Sequence, residues 1–171
     1  MSAIPDKVGF AVMTVSDSRD SKTDKTGPWL REQINAEGHA VIGHAIVTDD
    51  IGAIQNQLQA WIADPAIHAV IATGGTGLTG RDVTPEAFKP LYDKEMEGFS
   101  AVYHQVSFAS VGVSTIQSRA TAGIAGGTYL FAIPGSMGGC KDVWNHILKD
   151  EFDRTHRPCN LVDLIPRLME R

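Results

Sequence analysis

A glycine-rich segment, residues 73–86, carries the densest chemical signal in the sequence, TGGTGLTGRDVTPE. Its four glycines within seven positions cost chain entropy, but they let the backbone approach a ligand and point amides at phosphate or carboxylate oxygens. A tight turn that needs positive φ angles is the alternative explanation. We favour an anionic ligand, bound around Gly74, Gly75, Thr76 and Gly77.

The segment matches neither of the two common phosphate-binding fingerprints. A P-loop needs a lysine followed by serine or threonine after its last glycine, and that pair is missing here. The dinucleotide pattern belongs after a first strand, with an acidic residue about twenty positions further on. The sequence therefore disfavours a Walker-type NTPase and a dehydrogenase.

Strands and helices are predicted to alternate through the first half of the chain. Apolar runs rich in β-branched residues predict buried strands, and apolar residues three or four positions apart predict helices. The predicted strands are residues 8–15, 40–47 and 67–73, and the predicted helices are residues 26–37 and 50–64, with a polar loop at residues 17–24. This order predicts an α/β fold with a mostly parallel sheet covered on both faces.

The second half is predicted to add a strand and three helices. One helix opens at Thr84, which could cap it, with Pro85 in its first turn. The other predicted helices are residues 94–108 and 141–152, the strand is residues 129–133, and its exit loop is residues 134–139. Residues 111–127 give no clear pattern, and the tail from Arg154 is predicted to pack on the surface.

Composition predicts a single domain, residues 1–171, in the cytoplasm. The 43% hydrophobic content can build a sizeable core, and the first residues lack the apolar stretch of a signal peptide or a membrane span. A net charge of −5 argues against nucleic acid as a partner. Two cysteines are too few for a disulfide framework, and six scattered histidines make a histidine metal site a poor hypothesis.

Five short motifs occur in an order typical of one protein family. They are TVSDSR, VTDD, TGGTGLTGRDVTPEAF, SRATAG and PGS. Each motif alone is weak evidence, but TGGTG followed by RDVTPEA, in order with the others, is specific. Across essentially its whole length the chain resembles the MoaB/MogA family of molybdenum-cofactor biosynthesis proteins. Its short length and the RPCN motif at residues 157–160 resemble the MoaB branch.

The resemblance implies a three-layer α/β/α fold with a mostly parallel central sheet, and a homo-oligomer that is a trimer or a hexamer. It also implies a site for molybdopterin and ATP. Catalytic members of the family adenylylate molybdopterin: its terminal phosphate attacks the α-phosphorus of ATP, and pyrophosphate leaves. A partner protein then inserts molybdenum into the activated product.

Two carboxylates matter most in that family, and they map onto Asp49 in VTDD and Asp82 in GRDVTPEA. Both follow predicted parallel strands. Nucleotidyl transfer brings two anionic groups together, and Mg²⁺ held by carboxylates and phosphates offsets their repulsion. The resemblance therefore implies catalytic and Mg²⁺-binding roles for both. The alternative for each is an acid stabilised near a helix amino terminus.

Further candidate ligand residues surround these two acids. Arg81 could neutralise a phosphate or form an exposed ion pair, and Glu86 could cap its helix, repel phosphate or help hold the cation. Ser16 and Asp17 could bind a pterin or ribose, with turn capping as the alternative for Asp17. Motif position in the family adds Ser118, Arg119, Pro134, Gly135 and Ser136, for which local turn chemistry is the alternative.

Two other functions remain open from the sequence. The chain could be a catalytically silent protein that binds or carries molybdopterin, or an oligomeric assembly module of the same pathway. Chains of the MoaB branch that depart from the two-acid pattern are of doubtful activity. This sequence keeps Asp49, Asp82 and an intact RDVTPEA, which favours catalysis.

Overall fold

Six strands form one sheet in the computed structural model, which describes residues 3–170. They are β1 (Gly9–Val15), β2 (Ala40–Val47), β3 (Ala69–Thr73), β4 (Lys94–Glu95), β5 (Thr121–Ala125) and β6 (Thr128–Ile133). Their order across the sheet is β2-β1-β3-β6-β5-β4. Strands β2, β1, β3 and β6 pair in parallel with one another, whereas β5 is antiparallel to both β6 and β4. The prediction of a mostly parallel sheet is confirmed.

Helices connect the strands and cover the sheet. They are α1 (Thr26–Ala36), α2 (Ile51–Ile62), α3 (Thr84–Phe88), α4 (Glu97–Val111), α5 (Met137–Val143) and α6 (Lys149–Glu151). A π-helical turn (Trp144–Leu148) joins α5 to α6, and 3₁₀ turns lie at Lys89–Leu91, Gly112–Gln117 and Val162–Arg167. Among the described residues, none of these helices is long and apolar enough to cross a membrane.

Two apolar clusters, one on each face of the sheet, form the core. Side chains alternate along β1, so that Phe10 and Val12 belong to one cluster while Ala11 and Met13 belong to the other. Residues of α1, α4 and α5 complete the first cluster, and residues of α2 and α3 complete the second. The fold is therefore the expected three-layer α/β/α arrangement.

The central strands are apolar throughout because both of their faces are covered. Every residue of β1, β3 and β6 is buried, whereas burial along the edge strand β2 alternates. The bounds of β2 agree with the predicted strand, and β1, β3 and β6 differ from their predictions by one or two residues. Continuous apolar runs therefore predicted the strands that carry the candidate site.

The predicted cap at Thr84 is wrong. The residue preceding α3 is Val83, and no side chain caps the helix. The Thr84 hydroxyl instead donates a 2.8 Å hydrogen bond to the carbonyl oxygen of Gly74. Pro85 does lie in the first turn, as predicted. The threonine is thus used to hold the glycine-rich segment against α3.

The predicted helix at residues 94–108 begins three residues later and continues to Val111. Lys94 and Glu95 form the short strand β4, which pairs with Ile124 and Gly123 of β5. That pairing depends on residues about thirty positions away, so local helical spacing could not indicate it. Residues 111–127, left unassigned by the sequence, contain a 3₁₀ turn and β5.

The predicted exit loop at residues 134–139 is shorter than expected. Ser136 caps α5 by accepting a 3.1 Å hydrogen bond from the Gly139 amide, so the helix begins at Met137 rather than at residue 141. The tail packs against the body of the protein, as predicted: Val162 is buried, and the Tyr129 hydroxyl donates to the Leu161 carbonyl oxygen at 3.0 Å.

Candidate functional site

The candidate site lies at the carboxyl ends of β1, β2, β3 and β6. From β1 the chain crosses to β2 on one side, and β3 returns on the other side, which creates the crevice where open α/β sheets bind ligands. Gly74 begins the glycine-rich segment with φ of 109°. A Cβ at Gly74 would lie 2.3 Å from the Val15 carbonyl oxygen, so only glycine lets these two strand ends approach.

The glycine-rich segment passes close to both predicted catalytic acids. A Cβ at Gly75 would lie 3.0 Å from Oδ1 of Asp49, and a Cβ at Gly77 would lie 2.7 Å from Oδ2 of Asp82. Side chains at either glycine would therefore occupy the space beside a carboxylate. The segment brings Asp49 and Asp82 to the same short stretch of backbone.

Asp49 is held by Asp17 through two reciprocal hydrogen bonds. The Asp17 amide donates to Oδ2 of Asp49 at 2.9 Å, and the Asp49 amide donates to Oδ1 of Asp17 at 3.0 Å. Nε of Arg81 donates to the other Asp17 oxygen at 2.8 Å. Asp17 thus contacts Asp49 across 32 positions rather than capping a local turn, Arg81 forms an exposed ion pair with Asp17, and together they position Asp49.

This network lowers the pKa of Asp17 and raises the pKa of Asp49. The hydrogen bond from Arg81 is the largest cause of the lowered pKa of Asp17. Burial is the largest cause of the raised pKa of Asp49, followed by the negative charge of Asp17; Asp82 adds a smaller repulsion. Bringing Asp49 to the segment therefore concentrates negative charge, which a bound cation would relieve.

Asp82 is held by a different partner. Its Oδ2 accepts hydrogen bonds from the Thr79 amide at 2.9 Å and from the Thr79 hydroxyl at 2.6 Å. Partial burial acts to raise the pKa of Asp82, but the hydrogen bonds from Thr79 and the amide of Gly77 outweigh it, and the pKa is lowered. Asp82 is consequently an ionised carboxylate at neutral pH.

Arg119 holds the middle of the glycine-rich segment. Its Nε donates to the Gly77 carbonyl oxygen at 2.8 Å, and its Nη2 donates to the Asp82 carbonyl oxygen at 2.7 Å. Its Nη1 pairs with the Glu86 carboxylate, and this bond is the largest cause of the lowered pKa of Glu86. The Arg119 amide adds a 2.8 Å bond to the Thr76 carbonyl oxygen. Arg119 and Glu86 therefore shape the segment.

A cleft of about 420 Å³ opens beside the segment. Two hydroxyls in its wall, those of Thr115 and Ser118, are buried without a hydrogen-bond partner among the described residues. Buried polar groups are nearly always paired, so an ordered water or a ligand is expected to complete the hydrogen bonding of these two hydroxyls. Eight predicted site residues line the cleft: Gly75, Thr76, Gly77, Asp82, Ser118, Pro134, Gly135 and Ser136.

Ser16 and Gly135 follow β1 and β6 at the carboxyl ends of these strands, and both accept hydrogen bonds from other residues of the protein. The Ser16 hydroxyl accepts hydrogen bonds from the amides of Ser18 at 3.2 Å and Arg19 at 3.1 Å. Nη2 of Arg19 donates to the Gly135 carbonyl oxygen at 3.1 Å, and a Cβ at Gly135 would lie 3.0 Å from Cα of Gly74. Arg19 thus ties the loop after β1 to the loop after β6.

Sequence reasoning missed several residues of this site. Arg19 belongs to the TVSDSR motif but was not singled out. The many hydroxyl residues after α4 could have indicated the wall of the cleft, but they lie in residues 111–127, which give no clear pattern in the sequence. The cleft-lining residues that were missed are Tyr103, Ser107, Val111, Ser114, Thr115, Gln117, Gly139 and Asp142.

The residues present fit a magnesium ion that substrate phosphates help to hold. Among residues 3–170, no group of three or more His, Cys, Asp or Glu side chains is arranged to hold a metal ion by itself. Mg²⁺ usually takes one or two carboxylates together with phosphate oxygens and water. Asp82 lines the cleft, and Asp49, which lies next to Gly75 without lining the cleft, completes that pair of carboxylates.

Asp49→Asn is expected to stabilise the protein at neutral pH by less than about 1 kcal/mol. Because the folded state raises the pKa of Asp49, wild-type stability falls as pH rises through the interval between the unfolded and folded values. Asparagine cannot ionise but still accepts the Asp17 amide. Urea denaturation at pH 7 should show the gain, and it should vanish near about pH 3.5, where Asp49 is protonated. A variant less stable than wild type at pH 7 would contradict this.

Comparisons with known proteins assign the family. Residues 11–154 match the family model described as "Probable molybdopterin binding domain". Molybdenum cofactor biosynthesis protein B of Escherichia coli (strain K12) is 45% identical over 157 residues, which cover 92% of this chain and 91% of that protein. The protein of the same name from Bacillus subtilis (strain 168) is 39% identical over 149 residues, covering 86% and 88%.

Solved structures agree with the sequence comparison. A crystal structure of Molybdenum cofactor biosynthesis protein B superposes with a TM-score of 0.87 at 34% identity, covering 98% of this chain and 99% of that one. The tungsten cofactor synthesizing protein MoaB from Pyrococcus furiosus gives a TM-score of 0.77 at 36% identity, covering 86% and 93%. The chain therefore belongs to the MoaB/MogA family of molybdopterin-binding proteins and acts in molybdenum cofactor biosynthesis.

Proposed function

We propose that the protein catalyses the Mg²⁺-dependent adenylylation of molybdopterin by ATP. The terminal phosphate oxygen of molybdopterin forms a bond to the α-phosphorus of ATP, and the bond from that phosphorus to the bridging oxygen breaks. Adenylyl-molybdopterin and pyrophosphate are the products. The observation that carries the proposal is the pair Asp49 and Asp82, held against the glycine-rich segment beside a cleft with unpaired hydroxyls.

The cleft supports the choice of a pterin as one substrate. A volume of about 420 Å³ is in the range of small-molecule sites. Its wall carries the hydroxyls of Thr115 and Ser118, which can donate to or accept from the polar edge of a pterin or its phosphate. Tyr103 adds an aromatic side chain, and Asp142 adds a carboxylate. The lining thus combines apolar contact with a few placed polar groups.

The glycine-rich segment supports phosphate binding where it lines the cleft. Gly75, Thr76 and Gly77 line the cleft, and two of them lack a side chain that would keep a phosphate away from the backbone. Asp49 and Asp82 would hold Mg²⁺, which supplies the positive charge that lets two phosphates approach each other. In this proposal the chain's own work is to orient both substrates and to fix the two acids.

The contacts around the acids support a rigid geometry. Asp17 holds Asp49, and Thr79 holds Asp82. Arg119 holds the backbone of the segment at Gly77 and Asp82. Catalytic groups that are already in place lose little free energy to reorganisation during reaction. A mere carrier needs no such arrangement of two carboxylates beside a phosphate site, which is why we prefer the enzyme to the carrier.

Incubation with molybdopterin, ATP and Mg²⁺ tests the proposal. Adenylylated pterin and pyrophosphate are expected in equal amounts, and formation of both should stop when EDTA removes the cation. The double variant Asp49→Asn, Asp82→Asn serves as the negative control. Tight binding of molybdopterin without either product would overturn the proposal in favour of a carrier.

A further inference from the structure

The cleft beside the glycine-rich segment has two helical walls. The residues that line it from α4 are four positions apart, and those from α5 and its capping residue are three positions apart. They are Tyr103, Ser107 and Val111 on the first wall, and Ser136, Gly139 and Asp142 on the second. Both spacings place side chains on one face of a helix, so the cleft runs along α4 and α5.

Asp142 lies far along the cleft from the glycine-rich segment. The start of α5 adjoins that segment, since a Cβ at Gly135 would lie 3.0 Å from Cα of Gly74. Asp142 follows the capping residue Ser136 by six positions, which is about 9 Å along a helix axis. The cleft thus has a carboxylate at a distance from the glycine-rich backbone that we assign to phosphate.

The carboxylate of Asp142 has one hydrogen-bond partner in the described part of the chain. The Ser110 hydroxyl on α4 donates to its Oδ1 at 3.0 Å, which holds the carboxylate between the two helices. All ion pairs among residues 3–170 involve other acids, so no cationic side chain neutralises it. Oδ2 and a second lone pair of Oδ1 are therefore available to a molecule in the cleft.

An unneutralised carboxylate restricts which ligand the cleft can hold, and in which direction. It repels the phosphate of an anionic ligand and binds a group that offers N–H donors. The pyrimidine ring of a pterin has such an edge, in which the ring N3–H and the 2-amino group point the same way. A carboxylate can accept from both at once, as it does from the adjacent N–H groups of an arginine. The phosphate of molybdopterin lies at the opposite end of the molecule.

We propose that Asp142 determines the specificity for the pterin ring: its carboxylate, held by Ser110, accepts hydrogen bonds from N3–H and the 2-amino group of molybdopterin. The phosphate of the ligand then points along α5 toward the glycine-rich segment. Tyr103 and Val111, which line the same cleft, offer apolar contact to the ring. The inference deepens the proposed function and rests on it only for turnover, because binding of the pterin requires no ATP.

Asp142→Asn separates this contact from the general effect of charge. The variant replaces one acceptor oxygen by an N–H donor of the same size, which faces the donors of the pterin. It also removes a negative charge from a cleft for an anionic ligand, so electrostatics alone would tighten binding. The proposal predicts weaker binding, which is the opposite sign. Asp150→Asn is the matched control, since Asp150 is exposed on α6 and does not line the cleft.

The dissociation constant for molybdopterin is measured by titration of the full-length protein without ATP or Mg²⁺. We expect Asp142→Asn to bind about ten- to hundred-fold more weakly than wild type, the usual discrimination from a two-bond contact. Asp150→Asn should bind as wild type does. With ATP and Mg²⁺, KM for molybdopterin should rise in Asp142→Asn while kcat is unchanged. Affinity equal to or tighter than that of wild type would overturn the proposal.

A change of ligand preference tests the same contact without molybdopterin as the measured ligand. The probes are 6-hydroxymethylpterin and 6-hydroxymethyllumazine, which has a carbonyl oxygen in place of the 2-amino group; each is titrated directly and as a competitor of molybdopterin. Wild type should prefer the pterin by about ten-fold or more. Asp142→Asn should prefer the lumazine, because an amide can accept from N3–H and donate to the 2-oxygen.

The outcomes distinguish this inference from the proposed reaction. A wild-type protein without preference for the pterin would overturn the role of Asp142, and this result does not depend on whether any variant folds. The same preference in wild type and Asp142→Asn would overturn it too, even if wild type shows full adenylylation. A reversed preference in a protein that forms no adenylylated pterin would retain the role of Asp142 and overturn only the proposed reaction.

Discussion

Asp82→Asn is expected to lower kcat for adenylyl transfer by about 10²–10³-fold while molybdopterin still binds. Asparagine keeps the shape of the side chain, and its carbonyl oxygen can still accept the bonds from the Thr79 amide and hydroxyl. Only the negative charge beside the phosphates is lost. A steady-state assay of pyrophosphate release, together with a binding titration, measures the two quantities.

The control for this substitution is Asp6→Asn, which removes an equal charge at a fully exposed position far along the chain. It should leave turnover unchanged. Asp82→Asn with near-normal turnover would remove Asp82 from the mechanism. A loss of molybdopterin binding in proportion to the loss of turnover would instead give Asp82 a role in pterin binding alone.

Arg119→Ala is expected to lower the free energy of unfolding by about 3 kcal/mol and to abolish detectable pterin binding. The guanidinium group donates to the carbonyl oxygens of Gly77 and Asp82 and to Glu86, so alanine leaves three acceptors without their donor. Each lost bond to a charged group costs about 1.5–3 kcal/mol, reduced here because the side chain is one-third exposed. Urea denaturation measures the first effect.

Arg81→Ala is the matched comparison, since Arg81 also pairs with an acid beside the segment. Its side chain is 69% exposed, and its pair with Asp17 is a surface pair. The expected loss of stability is much smaller than that for Arg119→Ala, because solvent screens an exposed pair. Equal losses for Arg119→Ala and Arg81→Ala would contradict the role of Arg119 in holding the segment, because they would show that the contacts to the Gly77 and Asp82 carbonyl groups contribute nothing.

The strands that carry the site were predictable because a strand buried on both faces is a continuous run of apolar residues in the sequence. β1 and β3 are buried on both faces, so they are runs of apolar residues, and each is followed directly by the polar or glycine residues of the site. The glycine-rich segment was likewise predictable from its composition, with four glycines within seven positions. Asp49 and Asp82 required the family's motifs, since many acids lie near helix ends for structural reasons.

The rest of the site depends on contacts between distant positions. Arg119 reaches Gly77 over 42 positions, and Asp17 and Asp49 exchange bonds over 32 positions. No periodicity in the sequence encodes such pairs. For the same reason β4, which forms only because β5 lies beside it, was read as part of a helix, and the Thr84 hydroxyl was read as a cap.

Arg19 and Gly135 are bonded to each other across 116 positions, and the residues that line the cleft come from before and after β6, between Gly75 and Asp142. During synthesis, therefore, no cleft exists until β6 has left the ribosome and inserted beside β3. A nascent or truncated chain cannot hold the pterin in a half-formed pocket. A ligand that binds the folded protein and not the unfolded chain would therefore add its binding free energy to the stability of the whole domain.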